Sequence, residues 1–263
     1  LPQLYNSLMI LWEAIPSKLD QLIRWGAVSQ EVVTFLQMLV RAGYNIFISG
    51  GTGSGKTTFL NALSHYIPKD ERIITIEDNA ELQIQGVANL VRLEARNANT
   101  EGKMEISIRD LIRSSLRMRP DRIIIGEVRG SEAVDLLQAL NTGHDGSLST
   151  GHANSPEDML SRLETMVLMG IEIPLPAIRR QIASGIDVIV HLGRMRDRSR
   201  KVLQVLEILG YDSAAGEIRT HVLYEFEESG VDENGKIQGS LVKKAEISRR
   251  KKLERAGYRM EKE

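Results

Sequence analysis

The residues best suited to chemistry form a glycine-rich run that ends in a lysine and a threonine. The run fits the pattern G-x-x-x-x-G-K-[ST] in full, and with the threonine after it comprises Gly50, Gly51, Thr52, Gly53, Ser54, Gly55, Lys56, Thr57 and Thr58. Glycine has no Cβ, so successive backbone N–H groups can point at one anion, and the N-terminus of a following helix adds positive potential. The run therefore predicts a phosphate-binding loop, in which Lys56 reaches the β- and γ-phosphates of ATP and the Thr57 hydroxyl ligates Mg²⁺.

Two acidic residues follow hydrophobic runs that are typical of buried strands. Glu77 follows the run 72–76, and Glu127 follows the run 123–126. A carboxylate in that position is costly unless it serves a cation or accepts hydrogen bonds, and α/β sheets bind their ligands at the carboxyl ends of strands. We therefore expect Glu127 to hold Mg²⁺ through a water and Glu77 to polarise the water that attacks ATP. The alternative is a pair of solvated acids without a catalytic role.

Short hydrophobic runs alternate with helical patterns over most of the chain. The predicted strands are 46–49, 72–77, 122–126 and 146–150, and the predicted helices are 29–43, 58–67, 107–118, 131–141, 155–170 and 177–184. This alternation indicates an α/β fold with a mostly parallel sheet flanked by helices on both faces. Three more strands follow without helices between them and predict an antiparallel C-terminal extension, at 187–194, 201–209 and 217–226.

The chain is expected to divide into three parts. The absence of an initial Met indicates an internal start in a longer parent, and a family resemblance given below implies that residues 1–28 are the end of a truncated N-terminal domain with its linker. Residues 29–228 form the nucleotide-binding domain, and residues 229–263 form a loop and a basic tail. The tail from residue 243 carries nine Lys or Arg and four Glu. It is either a solvated terminus or a contact for membrane lipid or a partner.

Composition narrows the class of protein. The 263 residues are 42% hydrophobic and carry a formal net charge of −1. This charge and the low aromatic content argue against nucleic acid as a partner, since strand-binding channels need basic grooves and stacking platforms. The absence of cysteine excludes disulfides and a Cys-based zinc site. The apolar runs are much shorter than the roughly 20 residues that span a bilayer.

Three further segments resemble the conserved boxes of one ATPase superfamily. Residues 116–129, which read LRMRPDRIIIGEVR, resemble the signature of the type II/type IV secretion ATPases, although Gly130 stands where that signature commonly ends in Asp. Residues 74–78 look like the aspartate box of this superfamily, and residues 142–154 look like its histidine box. Together with the phosphate loop, the boxes follow the order of the superfamily, and the resemblance covers about residues 29–195.

The resemblance implies a RecA-like P-loop fold and a homohexameric motor that hydrolyses MgATP. It also implies a cytoplasmic location at an inner-membrane platform protein, and an N-terminal domain that closes over the nucleotide. Residues 91–96 and 141–155 are similar to the CpaF-like branch, which powers Flp/Tad pili. Sister branches serve conjugative type IV secretion and archaeal pili, so the expected function is pilus assembly or protein secretion.

The histidine box and the region before the signature supply further candidates. In the resemblance, His152 corresponds to a histidine that senses the γ-phosphate, which a neutral imidazole N–H can do by donating to it. His144 either shares such a role or holds its loop. Arg92 and Arg96 are candidates for a guanidinium that reaches the γ-phosphate, often in a neighbouring subunit. Other arginines, including Arg113 and Arg129, are interpreted as structural or interfacial.

Two other functions compete with the secretion motor. A RecA-like nucleic-acid motor or a DNA-transfer secretion ATPase would share the fold, and stimulation of ATP hydrolysis by nucleic acid would distinguish it. A regulator that binds ATP without turnover is the third possibility. The acids Glu77 and Glu127 argue against such a regulator. An assay of ATP turnover would distinguish the regulator from the motor.

Overall fold

The computed structural model describes residues 18–96 and 105–258. The helices have the bounds α1 Lys18–Arg24, α2 Gln30–Arg41, α3 Lys56–Ser64, α4 Ile108–Ser115, α5 Ala133–Leu140, α6 Pro156–Gly170, α7 Leu175–Gly185 and α8 Lys251–Arg255. The strands have the bounds β1 Ile46–Gly50, β2 Arg72–Glu77, β3 Asn89–Glu94, β4 Arg122–Val128, β5 Leu148–Gly151, β6 Val188–Arg194, β7 Arg200–Asp212, β8 Glu217–Val231 and β9 Ile237–Lys243. No helix within the described residues is long and apolar enough to cross a membrane.

The strands form one nine-stranded sheet in the order β3-β2-β4-β5-β1-β6-β7-β8-β9. The pairs from β3 to β6 are parallel, and the pairs from β6 to β9 are antiparallel. This arrangement confirms the predicted mostly parallel sheet with an antiparallel C-terminal extension. Because β1, β2, β4 and β5 run in the same direction, their carboxyl ends meet at one edge of the sheet.

Helices cover both faces of the sheet, each over its own hydrophobic core. Alternate residues of β1 point to opposite faces, with Ile46 and Ile48 in one core and Phe47 in the other. The first core packs against α1, α2, α3 and α8, and the second packs against α4, α5, α6 and α7. Side chains in both cores are almost completely excluded from water, so the strands that carry the polar edge are held rigidly.

The predicted helix starts are confirmed where the sequence carried capping residues. Ser29 accepts a hydrogen bond from the backbone of α2, and Ser155 does the same for α6, with Pro156 at its first position. Ser107 and Asp110 form the predicted capping box of α4. The helix expected over 107–118 is shorter than predicted, because its last turn, Leu116–Met118, is a 3-10 helix.

The C-terminal residues differ most from the sequence interpretation. Residues 229–240, expected to form a loop, contain the end of β8, a tight turn and the start of β9. Glycine content and polarity concealed this hairpin, since its side chains are mostly exposed. The described part of the basic tail is docked on the domain, because Lys252 pairs with the buried carboxylate of Asp187 and Leu253 is completely buried. The expected division into three parts remains a prediction, although Leu19 and Leu22 of α1 share the core of the following residues.

Candidate functional site

The glycine-rich run forms the connection between β1 and α3, at the edge where the strand ends meet. Gly50, Gly53 and Gly55 have φ values of +152°, +72° and +95°, which residues with a Cβ rarely adopt. A Cβ on Gly50 would also lie 2.3 Å from the carbonyl oxygen of Leu192 on β6. Around Gly51 and Gly53 the space is open. The backbone of the loop, here called the cradle, therefore requires glycine at positions 50, 53 and 55 and leaves open space in front of it.

The ammonium group of Lys56 lies at the base of this cradle. It donates to the carbonyl oxygens of Gly50 and Gly51, at 3.0 and 3.2 Å, and lies 3.3 Å from Nδ1 of His152. Lys56 is only 7% exposed, and its burial lowers the pKa of the amine below the usual value. A phosphate in the cradle would offer this buried cation a charged acceptor in place of two neutral carbonyls.

His152 connects Lys56 to Glu127. Its Nε2 lies 2.6 Å from Oε1 of Glu127, while its Nδ1 faces the ammonium of Lys56. An ammonium can only donate and a carboxylate can only accept, so the consistent tautomer is a neutral ring with the proton on Nε2. Burial, and then the charge of Lys56, lower the pKa of His152, which favours the same neutral state.

Arg129 holds the other oxygen of Glu127. Its Nε and Nη2 donate to Oε2 of Glu127 at 2.9 and 2.6 Å, and its Nη1 donates to Asp78 at 3.2 Å. The sequence interpretation of Arg129 as structural or interfacial overlooked this contact. The available signal was proximity in the chain, since Arg129 directly follows β4 and lies two residues after Glu127. Glu127 is thus fixed from both sides, by His152 and by Arg129.

Glu77 lies beside this group with its carboxylate turned toward the following loop. Its Oε1 accepts hydrogen bonds from the backbone N–H groups of Glu81 and Leu82, at 3.0 and 2.8 Å. Burial raises the pKa of Glu77, although these hydrogen bonds act in the opposite direction. Glu77 and Glu127 line a small cavity of about 70 Å³ together with Thr57. A cavity of this size has room for a water molecule.

A larger cavity of about 800 Å³ opens directly above the phosphate loop. One wall is apolar and includes Leu22, Ala27 and Trp25, whose side chain is 63% exposed. The turn between β6 and β7 adjoins this wall and contributes Arg198 and, at the start of β7, Arg200. The cavity also reaches residues 52–59, Glu127 and His152, so it brings most of the predicted site residues together.

Two of the predicted arginines lie away from this cavity. Arg92 and Arg96 belong to β3 and its extension, at the far edge of the sheet from β1. Arg92 donates to the carbonyl oxygen of Ile84, and its side chain is exposed. A contact with nucleotide in a neighbouring subunit therefore stays a prediction for both. His144 lies 3.1 Å from the carbonyl oxygen of Ala139 and holds its own loop.

The site fits a nucleotide with a magnesium ion. The glycine cradle and the buried ammonium of Lys56 suit a triphosphate, which is a multiply charged anion. The Thr57 hydroxyl and the carboxylate of Glu127 line one small cavity, and oxygen ligands of this type are preferred by Mg²⁺. The Glu127 carboxylate also lies close to nitrogen atoms of Arg129 and His152. It would give up one of these contacts when a cation binds.

Comparison with known proteins agrees with this geometry. The family model described as "Type II/IV secretion system protein" matches residues 9–241 of the chain. A Mycobacterium tuberculosis protein whose name assigns it to conjugal transfer is 43% identical over 180 residues, which are 68% of this chain and 51% of the relative. The type IV secretion system protein PtlH of Bordetella pertussis is 44% identical over 164 residues, or 61% of this chain and 48% of PtlH.

Comparison with solved structures also finds a protein of a secretion system. The chain resembles the crystal structure of the VirB11 ATPase from the type IV secretion system of Brucella suis, determined with sulphate, with a TM-score of 0.61 and 37% identity. That alignment covers 70% of this chain and 53% of VirB11. The chain therefore spans about half the length of the relatives that it matches.

Proposed function

The chain belongs to the type II/IV secretion system protein family, and from this premise we propose that it is the ATP-hydrolysing part of a secretion or pilus motor. The observation that carries the proposal is the convergence of Lys56 and Glu127 on one cavity above the phosphate loop. The first comes from the connection after β1, and the second from the end of β4. Binding of a triphosphate uses the first group, and hydrolysis also needs an acid near the metal and the attacking water, which is the role proposed for the second.

The proposed chemistry assigns a role to each polar side chain. The loop amides and Lys56 bind the triphosphate, and Thr57 and Glu127 would hold Mg²⁺, which neutralises charge on the phosphates when bound. Glu77 and Glu127 orient a water in the small cavity beside Thr57. His152 Nε2 lies 2.6 Å from Glu127 in the free protein, and its N–H would donate a hydrogen bond to the γ-phosphate in the complex.

The machine that this motor serves is proposed from its relatives. PtlH and VirB11 both carry type IV secretion in their names, which supports transport through a membrane-bound assembly. We propose a homohexamer that docks on a platform protein at the cytoplasmic face of the inner membrane. The Flp/Tad pilus remains one candidate machine, supported by the similarity of residues 91–96 and 141–155 to the CpaF-like branch. Conjugal transfer is the second, supported by the name of the M. tuberculosis relative.

The proposal is tested with two substitutions that separate binding from hydrolysis. Lys56→Ala removes the buried cation and should weaken ATP binding by about tenfold to a hundredfold or more, as expected for charged hydrogen bonds. Glu127→Gln keeps the shape of the side chain, so it should bind ATP but release phosphate about a hundredfold more slowly. Binding is measured by calorimetry, and hydrolysis by phosphate release with and without DNA.

The matched control is Lys69→Ala, which removes an exposed lysine beyond the end of α3. It should bind and hydrolyse ATP like the unchanged chain. Unchanged turnover in Glu127→Gln would contradict the role given to Glu127. Absence of nucleotide binding by the unchanged chain would overturn the proposal as a whole. Strong stimulation of hydrolysis by DNA would favour a nucleic-acid motor instead.

A further inference from the structure

Arg200, the first residue of β7, lies over the phosphate loop. Its Nε donates to the carbonyl oxygen of Gly53 at 2.8 Å. Its Cδ lies 3.3 Å from the point where a Cβ on Gly55 would stand. Both glycines belong to the cradle that is proposed to bind phosphate, and Arg200 lines the same cavity as Lys56. The guanidinium therefore lies at the rim of the proposed triphosphate site.

The strands and the turn at this rim carry several arginines. Within residues 18–96 and 105–258, neither Arg194, Arg198 nor Arg200 forms an ion pair with a carboxylate. Arg194 and Arg200 are direct partners across the β6–β7 ladder, where like charges destabilise a sheet. An anion bound at this rim would remove the repulsion.

The turn that presents Arg200 is held in one conformation. Asp197 accepts hydrogen bonds from the backbone N–H and the hydroxyl of Ser199, at 2.9 and 2.6 Å, and from the N–H of Ile237 on β9 at 3.0 Å. These bonds hold the pKa of Asp197 far below its usual value. Arg196, in the same turn, pairs with Glu228 and does not line the cavity. The turn thus offers Arg200 to the cavity and directs Arg196 away from it.

We propose that Arg200 contacts the phosphates of the bound nucleoside triphosphate, so that the β6–β7 turn supplies a second cation to the site beside Lys56. The inference rests on the proposed function. Nε remains on the Gly53 carbonyl and keeps the loop in place, while the two Nη groups donate to phosphate oxygens. A planar guanidinium carries five N–H donors in a fixed fork, so it can make both contacts at once. Arg200 is a binding residue in this scheme and does not take part in the chemical step.

The experiment compares three variants by calorimetry with ATP, ADP and adenosine. Arg200→Gln removes the charge and keeps an amide that can donate to Gly53, so it should weaken ATP binding by about ten- to a hundredfold. Arg200→Lys keeps the positive charge, so its loss of ATP affinity should be smaller than that of Arg200→Gln. The control Arg196→Gln removes one positive charge from the same turn, and should bind all three ligands like the unchanged chain. Adenosine has no phosphate, so its binding should not change in any variant.

Two results would overturn the inference. One is ATP binding by Arg200→Gln equal to that of the unchanged chain. The other is an equal loss for Arg200→Gln and Arg200→Lys together with a lower melting temperature without nucleotide, which would mean that Arg200 only holds the loop. In support, ATP binding by Arg200→Gln should depend less on salt concentration than that of the unchanged chain. Failure of the unchanged chain to bind ATP would instead count against the proposed function.

Discussion

Glu77 and Glu127 end neighbouring strands, yet their carboxylates are stabilised in different ways. Glu127 faces charged and polar side chains, namely Arg129 and His152. Glu77 accepts only from backbone amides through Oε1 and is 5% exposed. A buried carboxylate without a cationic partner is costly to ionise. At the scale of single residues, Glu77 is therefore the acid whose charge opposes folding, and it is retained for a functional reason in our scheme.

This difference gives a prediction for Glu77→Gln. The pKa of Glu77 is raised in the folded protein, so between the unfolded and folded pKa values the folded state binds more protons. Stability then falls as pH rises through that window. The amide oxygen of Gln can still accept from Leu82 but carries no charge. Urea unfolding should therefore show a variant that is as stable as the unchanged chain at pH 4, more stable at pH 8, and slower in phosphate release.

A matched control for this prediction is Glu233→Gln, in the exposed turn before β9. It should leave the pH dependence of unfolding unchanged to within about 0.5 kcal/mol. A Glu77→Gln variant that is less stable at pH 8 would mean that the ionised carboxylate stabilises the fold. Unchanged phosphate release would contradict the part that Glu77 plays in orienting water.

The residues found by sequence reasoning are those whose signal is local. The phosphate loop lies within nine residues, and each acid follows a hydrophobic run at a strand end, where parallel topology brings the ends together. Arg200 left no comparable signal, because its contact with Gly53 spans 147 residues and depends on the register of the β6–β7 hairpin. Arg92 and Arg96 lie on the edge strand β3 and its extension, so their contact with a γ-phosphate, which was expected to come often from a neighbouring subunit, stays a prediction.

At the scale of elements, the C-terminal segment is attached to the sheet by buried acids. Asp187, just before β6, accepts from the backbone N–H of Asn45 at 2.9 Å and pairs with Lys252 at 2.7 Å and Arg249 at 3.2 Å. Glu207 of β7 accepts from the backbone of residues 248 and 249. The basic tail looked solvated in sequence because its acidic partners are far away in the chain.

The attachment predicts a large effect for Asp187→Ala. Removing this carboxylate leaves the buried N–H of Asn45 without its acceptor. It also takes one partner from Lys252 and from Arg249, which keep Asp145 and the carbonyl of Ile208. Breaking a buried ion pair from one side costs about 3 kcal/mol. The expected result is a loss of that size in the free energy of urea unfolding. The control Asp70→Ala, at an exposed loop position, should change the free energy of unfolding by less than about 0.5 kcal/mol. A loss below 1 kcal/mol for Asp187→Ala would mean that the segment contributes little to the fold.

At the scale of the whole molecule, nucleotide binding should stabilise the entire domain, because the loop joins the buried strand β1 to the helix α3. A ligand that binds only the folded state at a hundred times its Kd adds about 2.7 kcal/mol. Thermal unfolding with Mg²⁺ and a non-hydrolysable ATP analogue should therefore show a higher midpoint for the unchanged chain. Lys56→Ala at the same ligand concentration should show almost no increase. Equal increases in both proteins would place the ligand elsewhere.

β1 has the parallel strands β5, β4, β2 and β3 on one side and β6 to β9 on the other. Glu127 and His152 reach the cavity from the first group, and Arg200 reaches it from the second. A triphosphate on the loop would thus bridge the parallel strands on one side of β1 and the group on the other side that contains the antiparallel hairpins. Departure of the γ-phosphate would remove the proposed contact with His152, which belongs to the first group. Each round of ATP hydrolysis would then change the contacts on the two sides of β1 unequally. A motor that moves in one direction would require such an asymmetry.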